Sequence, residues 1–270
     1  MLHPFRYLAP RSAQELAAML ADHASDGKIL AGGTDLIPNI RNGVFKPAVV
    51  IDVKKLPDAS SLRLGSDGLS LGPAVTVNDI LRSKDARERY PVLCACAHEL
   101  ASHQVRNRAT VAGNVVNASP CSDMAPALLC LDAVAVIGSG TGQRELPFRE
   151  FFTGVKKTAL KPGEWLDRIV VPASSAGARG SYLKLKRIAG HDLGIVGVLF
   201  VRLGGSLRFG VSSAAPTPVL VDTVTAKDGP DQAAATVLGS VSPISDVRGT
   251  KEYRQHMIGV FVRRLIAEVK

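Results

Sequence analysis

The sequence predicts an α+β protein in two domains, residues 1–172 and 180–270. Three observations carry this expectation. Before Pro172, short β-branched runs alternate with segments of helical periodicity. From Ala173 to Gly180 the chain is a run of small residues, Ala-Ser-Ser-Ala-Gly-Ala-Arg-Gly, which reads as an exposed linker. Beyond it, three apolar-rich stretches follow one another closely, with Gly204-Gly205-Ser206 as a tight turn between the last two, the pattern of an antiparallel meander.

The elements follow in order. Ser12 to about Ala24 is a helix, because Ser12 and Glu15 have capping-box spacing and Leu16, Met19 and Leu20 share one face. Lys28–Ala31 is a short strand that runs into a glycine pair. Ala48–Val53 is a buried strand with three consecutive β-branched residues, Val49, Val50 and Ile51. Gly65-Ser66-Asp67-Gly68 joins Leu62–Leu64 to Leu69–Leu71 as a hairpin. Val77–Leu81 and Val92–Ser102 are helices, Ala125–Leu131 is a buried helix and Ala133–Ile137 a strand. In the second domain the meander strands are Ser181–Arg187, Ile195–Leu203 and Leu207–Ser213. Helices over about Gln232–Leu238 and Thr250–Val269 close the chain. The last has Met257, Val260, Phe261 and Leu265 on one stripe and Arg254 and Arg264 outside it.

Composition narrows the function classes. With 46% apolar residues the chain can build real cores and is not disordered. Met1-Leu2-His3-Pro4 lacks the charged and apolar regions of a signal peptide, and runs such as Ala125–Leu131 are too short to span a bilayer, so a soluble cytoplasmic protein without a membrane span is expected. The net charge of +9 is spread over small groups such as Lys54-Lys55, Lys156-Lys157 and Arg263-Arg264, and aromatics at 5% do not interleave with them, so nucleic-acid binding is not expected. An acidic partner subunit or an anionic cofactor remains open.

Metal and hydrolytic motifs are missing. Cys94, Cys96, Cys121 and Cys130 have no C-x-x-C spacing, the six histidines show no zinc pattern, and neither a nucleophile elbow nor a P-loop occurs. No catalytic residue and no metal ligand is expected. What remains are two glycine-containing stretches, Ala31-Gly32-Gly33-Thr34-Asp35-Leu36 and Thr110-Val111-Ala112-Gly113-Asn114. Glycine lets backbone N–H groups approach a ligand closely, and two such loops can close on one diphosphate from both sides. Each by itself is equally an ordinary turn, and Asp123 by itself equally a cap for the helix at Ala125.

Taken together the stretches are more specific. Ala31-Gly32-Gly33-Thr34-Asp35-Leu36-Ile37-Pro38, Arg106-Asn107-Arg108-Ala109-Thr110-Val111-Ala112-Gly113-Asn114 and Asn117-Ala118-Ser119-Pro120-Cys121-Ser122-Asp123-Met124-Ala125-Pro126 resemble the FAD-binding subunit of molybdenum hydroxylases. That family includes the medium subunit of carbon monoxide dehydrogenase and the flavin domain of xanthine dehydrogenase. Tyr182-Leu183-Lys184-Leu185-Lys186-Arg187 resembles the family's first C-terminal strand, and the stretch from Ser242 to Arg254 its final-helix entry. The resemblance covers nearly the whole chain, in order.

It implies a first domain of the vanillyl-alcohol-oxidase type, in two α+β subdomains that bind FAD, and a C-terminal flavoprotein domain built on a three-stranded antiparallel sheet with helices. It implies that Lys28, Ile29, Leu30, Ala31, Gly32, Gly33, Thr34 and Asp35 lie along the diphosphate, with the N–H groups of the last four as an anion nest. Thr110, Val111, Ala112, Gly113 and Asn114 form the facing wall. The family usually has two glycines where this chain has Ala112-Gly113, and the methyl narrows the approach. Asp123 matches a carboxylate that accepts from cofactor hydroxyls. Leu100 and Leu166 match apolar positions on the cofactor, and Lys184 a lysine near the flavin; Lys186 is a weaker match. Asp192, with His191, matches a region that faces the ring in some relatives and is equally a turn residue. Asp246, Arg248, Tyr253 and Arg254 read as a structural salt-bridge and capping group.

The function implied is electron transfer. An iron–sulfur small subunit would pass electrons to this FAD, a molybdopterin large subunit would oxidise the substrate, and NAD or another acceptor would take the electrons. The alternative is a flavin-free assembly or maturation protein with the same fold.

Overall fold

The chain begins with a small parallel sheet, and its central strand shows why. In the computed structural model, which describes residues 2–188 and 190–268, Val49–Asp52 is buried at all four positions and is flanked by Arg6–Leu8 and Gly27–Leu30, both parallel to it. A strand covered on both faces reads as a continuous β-branched run, as this one does. Helix Ala13–Asp22 contributes Leu16 to a core shared with Val49, Ile51, Val53 and Trp165. Ser12 caps it by accepting from Glu15 N at 3.1 Å. Glu15 in turn accepts from Arg11 N at 2.7 Å, one residue earlier than a capping box requires.

A five-stranded antiparallel sheet follows, in the order Leu62–Leu64, Gly68–Leu71, Trp165–Pro172, Val134–Ser139, Gly142–Pro147. The expected hairpin is its first pair, with Leu62 opposite Leu71. Helices Val77–Arg82, Pro91–Glu99 and Ala125–Cys130 complete the largest core of the protein. The helix expected to run to Ser102 stops at Glu99. Ala101 takes a positive φ of 45°, which ends it, and Ser102 caps a new turn, His103–Arg106.

The C-terminal sheet has the three expected strands, here Arg179–Leu185, Val196–Leu203 and Ser206–Ser212, and a fourth, Val219–Val221, paired with Phe209–Val211. That strand is only three residues long and follows Pro216 and Pro218, so it carries no alternation to read. The sheet has two dry faces. Val196, Val198 and Phe200 pack on helices Pro230–Gly239 and Lys251–Glu268, whereas Leu199 and Val201 join the N-terminal core.

Two expectations need correction. The small-residue run from Ala173 to Gly180 is largely exposed, as expected, but it is no loose linker: Ser175 and Ala178 are buried, and Ser175 Oγ donates to the Leu131 carbonyl. Small side chains are what let this segment lie against the core. Arg254, expected outside the apolar stripe, is 1% exposed. Its Nη1 donates to the carbonyls of Ile195 (2.6 Å) and Ser213 (2.9 Å), and its Nη2 to Asp246 at 2.6 Å. Asp246 also pairs with Arg248 at 2.7 Å, so the structural salt-bridge reading of this group agrees with the geometry. Tyr253 is half-exposed, with its N–H capped by Thr250 Oγ1 at 3.2 Å.

Replacing Arg254 by Met would leave the carbonyls of Ile195 and Ser213 without this donor and Asp246 with Arg248 alone. The expected loss is about 3 kcal/mol or more, read from urea unfolding. The Arg248 side chain, with Arg254 beside it, holds the Asp246 carboxyl well below the usual carboxylate range. Its contribution to stability is therefore complete above the unfolded value of about 4 and lost as pH falls below it. The acid-side fall in the urea midpoint should be shallower in Arg254→Met than in the parent chain.

Candidate functional site

The first glycine stretch leaves the parallel sheet at Leu30 and enters helix Leu36–Arg41. Gly32 lies against the other stretch. A Cβ there would sit 2.2 Å from the Arg108 carbonyl oxygen and 3.0 Å from Ala109 Cα, so only glycine fits. Gly33 has φ +74°, and its carbonyl accepts from Ile37 N at 3.0 Å to start the helix. The N–H groups of Gly32, Gly33, Thr34 and Asp35 donate to no protein acceptor among the described residues. Thr34 and Asp35 are exposed and the two glycines half-buried. Four successive free donors at the entry to a helix are an arrangement suited to an anion.

The facing wall is held by Arg106, to which the sequence assigned no role of its own. Its Nη1 donates to the carbonyls of His98 (2.9 Å) and Leu100 (2.8 Å), and its Nε to Asn78 Oδ1 at 3.4 Å. Asn78 Nδ2 then donates to Asn107 Oδ1 at 2.7 Å. Val77 N donates to Ala109 O and Val111 N to Val75 O, which fixes Thr110 beside Thr76.

Thr110–Asn114 is not a loop. Thr110 is the N-cap of helix Val111–Val116 and accepts from Gly113 N at 2.9 Å. The T-x-x-G spacing was the legible signal for this cap. Gly113 N, Asn114 N and Val111 N are thereby used, and of the five N–H groups those of Thr110 and Ala112 find no protein acceptor among the described residues.

Asn114 ties this wall to Asp123. Its Oδ1 accepts from Ser122 Oγ (2.6 Å) and from Met124 N (3.3 Å). Met124 is the N-cap of the following helix, and Asp123 does not cap it; Ser122 Oγ accepts from Ala125 N at 3.3 Å. Asp123 is buried; its Oδ2 pairs with Lys184 Nζ at 2.8 Å and its Oδ1 accepts from Tyr182 OH at 3.1 Å. Lys184 Nζ also donates to the Glu99 carbonyl at 3.1 Å, and Lys186 pairs with the Glu99 carboxylate at 2.9 Å. Tyr182, missed from the sequence, was visible as the residue two before Lys184 on the same strand face. Burial pushes the Asp123 carboxyl above its ordinary value, against the pull of the Lys184 ammonium. Burial and the neighbouring Asp123 charge push the Tyr182 phenol up. The Cys96 thiol is raised mainly by burial and is not a nucleophile.

The other residues stand further apart. Leu100 and Leu166 lie in the N-terminal core with Val111 and Ala112, each 5% exposed. Lys28 and Ile29 are exposed on an edge strand, with the Lys28 ammonium 5.3 Å from the centre of the Phe45 ring. Leu30 and Ala31 lead half-buried into the glycine pair. Asp192 is bonded within its own turn, accepting from Arg187 N at 3.1 Å and Leu193 N at 2.9 Å. Among the described residues no cluster of side chains suited to a metal ion occurs, and no helix is long and apolar enough to cross a membrane.

Gly32→Ala should force the two walls apart and abolish retention of an anionic ligand with the fold intact, read by ligand content and circular dichroism. Lys184→Met should leave Asp123 buried without its cation. The expected loss is about 3–5 kcal/mol in chemical unfolding.

Comparisons with known proteins bear on the chain as a whole. Residues 3–174 match the family described as the FAD binding domain in molybdopterin dehydrogenase, and residues 181–269 the CO dehydrogenase flavoprotein C-terminal domain. The chain is 30% identical to the carbon monoxide dehydrogenase medium chain of Hydrogenophaga pseudoflava, over 97% of this chain and 96% of that one. It is 31% identical to the xanthine dehydrogenase FAD-binding subunit of Escherichia coli O157:H7, over 93% and 90%. The solved structure of carbon monoxide dehydrogenase from Hydrogenophaga pseudoflava superposes with a TM-score of 0.91 at 31% identity, covering 99% of this chain and 98% of that one.

Proposed function

The chain belongs to the family of FAD-binding subunits of molybdopterin dehydrogenases, and from that premise we propose that it relays electrons within a heterotrimer, between the iron–sulfur clusters of a small subunit and a final acceptor such as NAD. It is an FAD-binding subunit of an oxidoreductase. Substrate oxidation belongs to a molybdopterin-bearing large subunit. Names of relatives such as "medium chain" and "dehydrogenase complex subunit alpha" support a division of labour among several chains.

FAD, when bound, supplies a redox centre that exchanges electrons one or two at a time. This chain's residues bind and orient it. The observation that carries the assignment is the run of four free N–H groups from Gly32 to Asp35, facing a wall so close that Gly32 admits no side chain. A diphosphate fits that donor set. The free N–H groups of Thr110 and Ala112 supply the opposite side. Asp123 accepts from cofactor hydroxyls, Lys184 brings its positive charge to the same place, and Leu100 and Leu166 keep water from the apolar side. Lys28, Ile29, Leu30, Ala31, Val111, Gly113 and Asn114 shape the two walls.

The test is the colour of the purified full chain. It should be yellow and release FAD on denaturation, and it should co-purify with an iron–sulfur chain and a molybdopterin chain when the three are expressed together. Gly33→Val should lose the flavin while hydrogen exchange in Val196–Leu203 stays slow. A colourless parent protein that still joins such a complex would favour the flavin-free assembly role. Unchanged flavin in Gly33→Val would overturn the diphosphate assignment.

A further inference from the structure

Four donors make an anion site only if they point the same way, and something must set their direction. The Ala31 carbonyl begins the loop. It accepts from Lys54 Nζ at 2.9 Å, across a separation of 23 residues. Carbonyl and N–H of one trans peptide point in opposite directions. The Ala31 carbonyl and the Gly32 N–H share such a peptide, so holding the one toward Lys54 aims the other away from it. Lys54 is itself fixed. Its ammonium pairs with Asp52 Oδ1 at 2.7 Å, and its backbone N–H donates to the same carboxylate at 2.9 Å. Asp52 is 4% exposed, and its second oxygen accepts from Tyr7 OH at 2.5 Å. The result is a relay of contacts, Tyr7 to Asp52 to Lys54 to Ala31, running from the outer strand of the parallel sheet through its centre to the loop.

We propose that Lys54 is a positioning residue of the diphosphate loop, setting the direction of its first donor by holding the Ala31 carbonyl. The inference rests on the reading of that loop given under Proposed function. Lys54 acts through the backbone rather than by touching phosphate, and any ligand carrying a diphosphate gains from it, whereas the flavin ring does not. The Lys54 side chain is partly exposed and lies outside the apolar core beneath it, but it also compensates the buried Asp52 charge, so the riboflavin arm of the test is what separates positioning from stability.

The test uses the flavin-stripped full chain titrated with FAD, ADP and riboflavin. Lys54→Met should weaken FAD and ADP by about tenfold, the scale of one charge-assisted hydrogen bond, and leave riboflavin unchanged. Lys54→Arg should restore most of the affinity. Asp52→Asn, which keeps the lysine and loosens its anchor, should fall between Lys54→Met and the parent, and it serves alone if Lys54→Met does not fold. The melting temperature of the stripped protein should be the same in the parent and Lys54→Arg. Equal affinity of the parent and Lys54→Met for FAD and ADP would overturn the inference, as would an equal loss for riboflavin. A flatter salt dependence of ADP binding in Lys54→Met would mark a direct phosphate contact and overturn the positioning role. A parent chain that binds neither FAD nor ADP would overturn the function reading instead.

Discussion

The buried pair of Asp123 and Lys184 joins what the chain keeps apart in sequence. Asp123 belongs to the segment that Asn114 ties to the second glycine wall, and Lys184 to the first strand of the C-terminal sheet. Removing two charges from water costs several kcal/mol for each, and their mutual attraction offsets this only when the remaining hydrogen-bonding positions are filled. Tyr182 and the Glu99 carbonyl fill them. The pair therefore has one good arrangement, and that arrangement fixes the C-terminal sheet against the helix after Asp123. The second glycine wall is tied to it through Ser122 and Asn114.

Backbone geometry does the rest of the shaping. Gly32 lies close against Arg108, Arg106 gathers the carbonyls of His98 and Leu100, and Thr110 sits beside Thr76 through two backbone hydrogen bonds. Most of the polar atoms in the second wall are spent on holding that wall in place. The first wall is the opposite case, with its donors left free. The two walls thus differ in how far their donors are engaged: all four N–H groups from Gly32 to Asp35 are free among the described residues, against two of the five from Thr110 to Asn114.

Much of this was legible in the sequence, and what was not has physical causes. The β-branched run at Val49–Ile51, the hairpin about Gly65–Gly68 and the meander could be read from local pattern, because each is decided by neighbours in the chain. The glycine stretches and Asp123 could be listed, but the approach of Gly32 to Arg108 and the bonds from Asp123 to Tyr182 and Lys184 join distant parts of the chain, which no local pattern records. Arg254 looked like a surface residue because its helix position says nothing of the three acceptors, on other elements and on the preceding segment, that draw it inward. The run from Ala173 to Gly180 looked like a linker because small residues serve equally for flexible chain and for chain pressed against a core. The tasks of Lys54 and Arg106 could not be read from the sequence, since each acts mainly on backbone carbonyls, and a carbonyl leaves no mark in the side-chain pattern.

The strand Val196–Leu203 has a consequence for how the protein comes apart. Its alternate residues are shared between the core of the C-terminal helices and the core of the N-terminal half. Neither core is complete without it. A chain cut at Pro172 would leave both products with bare apolar surface, Leu199 and Val201 on one and their counterparts around Leu128 on the other. Evolution can vary the helices behind this sheet or the sheets before it, yet it cannot exchange the C-terminal half as a separate module without rebuilding the face on which the first half rests. The unit of inheritance is then the whole chain, although the sequence divides so readily in two.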